Sequence, residues 1–404
     1  MAGHNEGYFE HETISEAVES QSDDPGAFSG MTPEEIEEAR AIGRRELVAS
    51  LCGRAIDLIY LVLVVVWVAH PDSIWITWIE GVSAFPSLQL VLLTLVLLFG
   101  NFLIGFPLSV YSGHILQHQY GLSHQTFGQW LWRKTKSLLL ELGFGMVMVT
   151  ALYWIIWTTQ DWWWLVAAAG FFLLSIVLGQ LAPVLILPMF YKVERLDEAD
   201  VQGDDLKRRM VDLTRETGLS VEGVYRMELS AETAKANAML AGLGKTRRVI
   251  LADTLLDHFS LDEIGVIFAH EVGHHVHQHI RKMIVFGGLY SLVAFYLCDL
   301  VLRGWLPKGG EFSYAHLPIF VLPVLLLTVH LFSTCLEPLQ NALSRHFERQ
   351  ADRYALRKTN HQAYLSAFAK LAKQNKDDPN PHRLEVILFH SHPPIAERMA
   401  MAGD

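Results

Sequence analysis

Six long apolar stretches without a single Lys or Arg dominate this 404-residue sequence. A segment that crosses a bilayer needs about 20 mostly apolar residues, because the hydrocarbon is about 30 Å thick and holds no water to satisfy backbone groups. The chain is 51% apolar and only 19% charged, as expected of a membrane protein. The sequence therefore predicts an all-α polytopic membrane protein with about six spans. These are residues 55–70, 86–111, 140–157, 162–190, 283–302 and 314–338.

Basic residues are distributed unevenly among the loops that join these spans. If the amino terminus lies in the cytoplasm, the external loops carry only Arg303 and Lys308, and the other Lys and Arg residues fall on the cytoplasmic side. Short loops rich in Lys and Arg stay in the cytoplasm. We therefore expect a multi-pass integral membrane protein whose two termini and long loop at 191–282 face the cytoplasm.

The segments outside the predicted spans differ from one another in charge. Residues 1–38 contain eleven Asp and Glu and no Lys or Arg, which indicates a mobile acidic tail. The basic residues elsewhere are scattered, so nucleic acid is not an expected partner. The predicted segments are the tail with an amphipathic lead-in (1–53), four spans (54–190), a metalloprotease domain (191–282), two spans (283–338) and the carboxy-terminal part of that domain (339–404).

The segment FAHEVGHHVHQHI, residues 268–280, holds five histidines and one glutamate. It follows a capping box formed by Ser260 and Glu263, which predicts that a helix begins there. On such a helix His270 and His274 lie one turn apart on one face, close enough to bind one ion. This spacing is that of the H-E-x-x-H zinc sites.

The residue between these histidines decides between a catalytic site and a zinc store. In an H-E-x-x-H site the imidazoles bind zinc, and the neighbouring Glu, here Glu271, takes a proton from the bound water. A zinc store or transporter would use histidines freely but would not need Glu271. We do not assign His275, His277 or His279 to the metal, because they lie off the His270/His274 pair or further along the chain.

A catalytic zinc needs a third protein ligand, and the segment NALSRHFERQADRYA after the last span offers carboxylates. Glu348 and Asp352 are one helical turn apart, so one could bind the metal while the other orients an imidazole N–H. The alternative is a surface helix with charge pairs between its arginines and these two carboxylates. On spacing alone, both interpretations stay open.

Three short strands are predicted between the fourth and fifth spans, in VEGVYRMEL, KANAML and RRVILADTLL. Gly242 and Gly244 would supply the turn between the last two. A free strand edge beside a zinc site can bind an extended peptide by main-chain hydrogen bonds. Asn237 would then lie where a substrate carbonyl passes, although the residues alone favour the simpler interpretation of an amide in a turn.

Taken together, FAHEVGHHVHQH, LSRHFERQADRYA, SHPPIAER, KANAMLAGLGKTRRVILADTLL and YSGHILQHQYGLSHQTFGQWLWRKTKSLL resemble the type I CAAX prenyl proteases, which are integral-membrane zinc metalloendopeptidases. The resemblance extends over nearly everything after the acidic tail. It implies one Zn²⁺ per chain. The matching positions are His270, His274 and Glu348 for the zinc ligands, Glu271 for the catalytic base, Asp352 for the acid behind a ligand, Asn237 and His392 for holding the substrate or oxyanion, and Arg398 for a structural or substrate-contacting arginine.

The resemblance also sets expectations for fold and substrate. Family members form a barrel of seven helices around a water-filled chamber, whereas only six spans are evident here, so closure of the chamber is in question. The expected substrates are peptides or proteins, prenylated ones included, with membrane lipid as a second partner. The competing functions are a membrane quality-control metalloprotease and a non-proteolytic zinc-binding or transport protein. The scarcity of carboxylates within the spans argues against transport.

Overall fold

Helices form most of the chain in the computed structural model, which describes residues 30–196, 201–215, 217–219, 221–242, 247–305 and 313–403. The helices are α1 Pro33–Val68, α2 Ile74–Val82, α3 Pro86–Val110, α4 Phe127–Thr159, α5 Trp163–Leu181, α6 Val201–Thr214, α7 Asp253–His258, α8 Leu261–Val276, α9 His279–Trp305, α10 Leu322–Lys358, α11 His361–Asn375, α12 Arg383–Phe389 and α13 Ile395–Ala400. Two π-helical turns, Tyr111–Ile115 and Ala182–Ile186, each followed by one α-helical turn, Leu116–Gln119 and Leu187–Phe190, extend α3 and α5.

Five helical runs within these ranges are long and apolar enough to cross a membrane. They are Pro33–Val68, Pro86–Gln119, Phe127–Phe190, His279–Trp305 and Ile319–Lys358. The six predicted spans lie wholly or mostly on these runs, because the third run covers two of them. At 64 residues that run would measure about 96 Å as one straight helix, roughly three times the thickness of the hydrocarbon. A 3-10 turn at Gln160–Trp162 divides it into α4 and α5.

Helix α1 begins earlier than the predicted acidic tail allows. It is capped by Thr32, which exchanges side-chain-to-backbone hydrogen bonds with Glu35, and Pro33 occupies its first position. The Glu35 carboxylate lies 2.9 Å from Lys373 Nζ on α11. The prediction of a mobile tail is therefore wrong for residues 33–38, where a helix cap and contacts with α11 order the chain. The rest of the predicted tail before residue 30, like Lys308, lies outside the described residues.

A four-stranded sheet lies between the two groups of long helices in the sequence. Its strands are β1 Val193–Arg195, β2 Gly223–Met227, β3 Ala238–Ala241 and β4 Arg248–Ala252, in the order β1-β2-β4-β3. Only the central pair, β2 and β4, is parallel. The three predicted strands are confirmed, and the mostly helical membrane fold with a small mixed sheet is confirmed with them. The short β1 was missed, since three residues are too few to show alternation.

Strand β3, which lies next to the helix predicted to carry the H-E-x-x-H motif, is an edge strand of the sheet. The turn that follows it starts at Gly242, whose φ of 91° is accessible to glycine at little cost. Gly244, predicted to share this turn, lies outside the described residues.

Helix α8 is amphipathic and buries one side against the sheet. Its capping box of Ser260 and Glu263 forms as predicted. Ile264, Phe268 and Val272, four residues apart along the helix, are at most 1% exposed and belong to the same apolar core as the buried residues of β4. This packing fixes the rotation of α8 about its axis and so determines where its histidines point.

The other side of α8 crosses α10 at a single glycine. A Cβ atom on Gly273 would lie 2.9 Å from the Ala351 Cα atom and 3.1 Å from the Ala351 carbonyl oxygen. Because these are backbone atoms, they cannot move aside as a flexible side chain could. The close crossing brings the histidines of α8 within reach of Glu348, three residues before Ala351, and of Asp352, the residue after it.

A second polar cluster lies far along α9. Asp299 is 1% exposed, and its carboxylate accepts hydrogen bonds from Trp163 Nε1 at 2.9 Å, Tyr314 Oη at 2.6 Å and Arg303 Nε at 2.7 Å. These contacts join α5, α9 and the segment before α10. Three donors to one buried carboxylate satisfy its charge where water is excluded.

Candidate metal centre

Three side chains from two helices converge at the crossing of α8 and α10. His270 Nε2 lies 3.1 Å from His274 Nε2 and 3.1 Å from Glu348 Oε2, and His274 Nε2 lies 3.4 Å from Glu348 Oε1. The two histidines are one turn apart on α8. Glu348 projects from α10 three residues before Ala351, and its side chain is buried.

These distances fit one metal ion bound at the centre of the group. Ligand atoms placed tetrahedrally at about 2.0–2.1 Å from a zinc ion are separated by about 3.3 Å. Among the described residues, no group gives Glu348 Oε2 a well-directed hydrogen bond, although this oxygen is buried. The facing Nε2 atoms of His270 and His274 likewise have no proton donor between them when their protons are on Nδ1. A cation would satisfy all three ligand atoms at once.

Asp352 fixes the orientation of the first histidine. Its Oδ1 accepts a hydrogen bond from His270 Nδ1 at 2.8 Å, and Arg398 donates from Nε and Nη2 to the two carboxylate oxygens at 2.9 and 2.6 Å. A proton on Nδ1 leaves the Nε2 lone pair available to a metal. Burial opposes a charge on His270, but its hydrogen bond to Asp352 and the close approach of the Glu348 carboxylate outweigh it and raise the pKa to about 9. The surroundings of Nε2 thus favour positive charge.

The second histidine is held differently. Burial and the charge of His270 lower the pKa of His274 to about 4, so its ring stays neutral. His274 Nδ1 lies 3.0 Å from His279 Nδ1, a contact that the sequence did not reveal. The spacing of five residues was its only sign, since a residue beyond the end of a helix has no fixed face. His275 instead accepts a hydrogen bond from Arg247 Nη1 at 2.8 Å.

Glu271 faces β3, an edge strand of the sheet. Its burial, the main cause, raises the pKa of Glu271 above the ordinary value, while the charge of His270 and a hydrogen bond from the backbone of Leu240 on β3 partly offset the shift. A carboxylate with a raised pKa accepts a proton more readily near neutral pH than an exposed one does.

A cavity of about 800 Å³ opens beside these residues. Its wall includes the predicted substrate-holding residues Asn237 and His392 together with His270 and Glu271, and its far side is formed by α1, including Leu47. The structure therefore brings the predicted residues from α8, β3 and the carboxy-terminal segment to one concave surface. This surface continues to the helix that carries the first predicted span.

The two carboxy-terminal residues occupy different places in the site. His392 is exposed, and its Nδ1 lies 2.9 Å from Glu348 Oε2. Arg398 is buried, and in addition to its bonds with Asp352 it lies 4.2 Å from the centre of the Phe368 ring. Arg398 and His392 both line the cavity, so the position of Arg398 is compatible with each of the two roles considered for it, structural and substrate-contacting.

The alternative interpretation of α10, a charged surface helix, predicted that its arginines pair with Glu348 and Asp352. Arg345 instead donates hydrogen bonds to backbone carbonyls at the end of α12, and Arg349 binds Glu397 at 2.6 Å. Both carboxylates are buried and face α8. Glu348 and Asp352 therefore face the candidate metal centre and do not form charge pairs on the surface of α10.

Two family models match this chain. Residues 200–403 match the family model of peptidase family M48. Residues 16–192 match a family model described as CAAX prenyl protease N-terminal, five membrane helices. Together the two matches cover the long helices before and after the sheet and all the residues of the candidate centre.

Individual relatives agree with these matches. The chain is 29% identical over 397 residues to the uncharacterized metalloprotease YhfN of Bacillus subtilis, covering 96% of this chain and 90% of the relative. It is 29% identical over 313 residues to CAAX prenyl protease 1 of Saccharomyces cerevisiae, covering 74% and 68%. The crystal structure of S. mikatae Ste24p shares the fold, with a TM-score of 0.75, 24% identity and coverage of 93% and 89%. The chain therefore belongs to peptidase family M48, as a membrane metalloendopeptidase like the CAAX prenyl proteases.

Proposed function

We propose that this chain is a zinc metalloendopeptidase that removes carboxy-terminal residues from lipid-modified, membrane-associated peptides, prenylated ones included. One Zn²⁺ per chain is held by His270, His274 and Glu348. The observation that carries the proposal is the mutual separation of their ligand atoms, 3.1–3.4 Å, in the wall of a cavity that reaches from Glu271 to α1.

Zinc is the metal that best suits this donor set. Two neutral imidazoles and one carboxylate are the ligands of catalytic zinc sites, which keep a fourth position open. A hard ion such as Mg²⁺ would prefer an all-oxygen set. When bound, zinc polarises a water molecule and the scissile carbonyl.

The chain's own residues supply the remaining chemistry. Glu271 accepts the proton of the attacking water and passes it to the leaving amine, a role that suits a carboxylate whose pKa is raised by burial. Asp352 and Arg398 keep the proton of His270 on Nδ1. The net result is hydrolysis of the peptide bond, with the water's hydroxyl group on the new carboxyl group and its other proton on the new amine.

The end strand β3 is suited to hold the substrate backbone. It pairs with β4 on one side, and its other side can accept an extended peptide by main-chain hydrogen bonds. Asn237 immediately precedes β3 and lines the cavity, where its amide can donate to a substrate carbonyl. We assign His392, on the same cavity, to the oxyanion that forms at that carbonyl.

The membrane explains why a lipid-modified substrate is favoured. The cavity wall formed by α1 continues into the first predicted span, so a prenyl chain in the bilayer keeps its peptide at high local concentration beside the centre. The excess of Lys and Arg in the loops on one side favours a cytoplasmic position for the centre and both termini.

The deciding experiment compares a farnesylated CAAX peptide with its unprenylated twin, using purified protein in detergent. We expect cleavage of the farnesylated peptide, a loss of at least about 100-fold in the Glu271→Gln variant, loss of activity with phenanthroline and recovery with added zinc. Equal cleavage of both peptides would support the quality-control alternative. Cleavage of neither by the zinc-loaded protein would refute the proposed substrate class.

A further inference from the structure

The second proposed zinc ligand is attached to a chain of hydrogen-bonding side chains that crosses three helices. His274 on α8 contacts His279, the first residue of α9, with 3.0 Å between their Nδ1 atoms. His279 Nε2 lies 2.9 Å from Gln350 Oε1 on α10. His279 is 3% exposed, so water does not compete for these bonds.

Gln350 determines the direction of proton donation along this chain. Its amide nitrogen lies 3.0 Å from His346 Nε2 and its oxygen faces His279. An amide oxygen can only accept, so His279 must carry its proton on Nε2. A neutral His279 then offers a lone pair on Nδ1, which His274 satisfies by donating from its own Nδ1.

This direction selects one tautomer of His274. With its proton on Nδ1, His274 presents a lone pair on Nε2, the atom that lies 3.1 Å from His270 Nε2. The opposite tautomer would leave a proton where a metal ligand is required and would set two lone pairs against each other between His274 and His279. The chain of bonds therefore prepares His274 for metal binding.

The position of His279 is fixed from two sides. Its ring stacks on Phe347, with 4.3 Å between ring centres and 13° between planes. The preceding residue, Gln278, has a φ of 57°, a left-handed conformation that is uncommon outside glycine. This conformation separates α8 from α9 and turns the chain so that the His279 ring lies edge-on to the His274 ring, with 5.0 Å between ring centres.

We propose that His279 is a positioning residue that sets the tautomer and the ring orientation of the second metal ligand. The inference rests on the proposed function, because it takes His270, His274 and Glu348 as the ligands. It assigns different supports to the two histidines: the charged pair of Asp352 and Arg398 for one, and a neutral imidazole and amide for the other. A neutral acceptor orients a ligand without adding a negative charge near the metal.

Metal affinity tests the inference independently of catalysis. All measurements use purified full-length protein in detergent carrying Glu271→Gln, with zinc binding followed by chelator competition. His279→Phe keeps a ring against Phe347 but removes the acceptor. His279→Asn removes the ring but keeps an acceptor oxygen close to the place of Nδ1. His277→Phe is the matched control, since His277 also stacks near His279 but contacts no proposed ligand among the described residues.

We expect His279→Phe to weaken zinc binding by about 10- to 100-fold, with His279→Asn largely restoring affinity and His277→Phe leaving it unchanged. The visible absorption of Co²⁺-loaded protein should shift in the Phe variant and resemble the parent in the Asn variant. Unchanged affinity in His279→Phe would overturn the inference. Equal losses in the Phe and Asn variants, with equal losses of thermal stability, would also overturn it, by showing a structural role. Absence of zinc binding in the parent would instead refute the proposed function.

Discussion

Asp352 and Asp299 are both buried carboxylates bound to an arginine on or beside a long membrane-capable helix, yet only one lies at the metal centre. Asp352 binds Arg398 and orients His270. Asp299 binds Arg303 and two aromatic donors. Asp299 lies twenty residues beyond the start of α9, about 30 Å along the helix. The Asp352 and Asp299 clusters thus use the same pair of charges, an aspartate with an arginine, in different surroundings.

The difference lies in what the partners do with their remaining atoms. At Asp299 the indole N–H of Trp163 and the phenol O–H of Tyr314 both donate to the carboxylate itself, and an indole N–H has no lone pair to offer a metal. At Asp352 the partner His270 has a second nitrogen, which faces His274 and Glu348. A buried ion pair alone therefore does not indicate a catalytic centre, whereas convergent lone pairs beside it do.

The largest effect should come from Glu271→Gln, which changes neither cluster but removes the proposed proton acceptor. We expect peptide hydrolysis to fall by about 10²–10⁴-fold, because the amide is nearly isosteric but cannot take a proton from water. Zinc binding should persist, and His274→Ala should lose both activity and zinc. Full activity in the glutamine variant would disprove the assignment of the base.

The next largest effect should come from Gly273→Ala, which separates the two helices of the centre. The added methyl group would lie 2.9 Å from the Ala351 Cα atom, so α8 and α10 must move apart. A displacement of about 1 Å can reduce a rate by about 100-fold, and we expect a loss of that order in kcat/KM with weaker zinc binding.

The matched control is Gly265→Ala, eight residues earlier on the same helix. A Cβ there would approach the Arg209 side chain at 3.3 Å, and this flexible side chain can move. Its activity and zinc affinity should stay at the parent level. Equal losses in both variants would show that helix α8 tolerates no alanine at either glycine and would remove the crossing from the explanation.

The sequence was sufficient for the parts of the centre that lie within one helix or match a family motif. The i,i+4 spacing of His270 and His274 fixes their common face, and the capping box at Ser260 fixes the helix start. Apolar length alone located the spans. These features depend on local geometry, which repeats from protein to protein.

The contacts between elements were beyond the reach of periodicity. Whether Glu348 meets the α8 histidines or an α10 arginine depends on the crossing at Gly273. The contact of His279 with His274 depends on the left-handed backbone of Gln278. The ordering of residues 33–38 depends on α11, more than 300 residues later. Each is decided by tertiary packing, which overrides the local preference of the segment.

Asp352→Asn tests the difference between the Asp352 and Asp299 clusters, and its expected effect is of intermediate size. The neutral amide weakens the hold on His270 and can present its NH₂ group to Nδ1, which favours the wrong tautomer. We expect zinc affinity to fall by about 10- to 100-fold, measured by chelator competition in the Glu271→Gln background. Asp299→Asn in the same assay should bind zinc like the parent. Equal zinc affinity in both variants would mean that Asp352 is no more than a structural carboxylate.

Asp299→Asn should have the smallest effect on the metal centre. We expect it to lower the stability of the fold instead. The amide retains one acceptor atom but loses its charge toward Arg303 and turns an NH₂ group toward the Trp163 and Tyr314 donors. A hydrogen bond to a charged group contributes about 1.5–3 kcal/mol, so we expect the free energy of unfolding in detergent to fall by about that amount. Thermal unfolding should report the loss, while the kcat/KM of the folded protein stays at the parent value. A fall in kcat/KM at parent-like stability would show that the distal cluster is coupled to the candidate metal centre through α9, because α9 carries Asp299 and begins at His279, which contacts the proposed ligand His274.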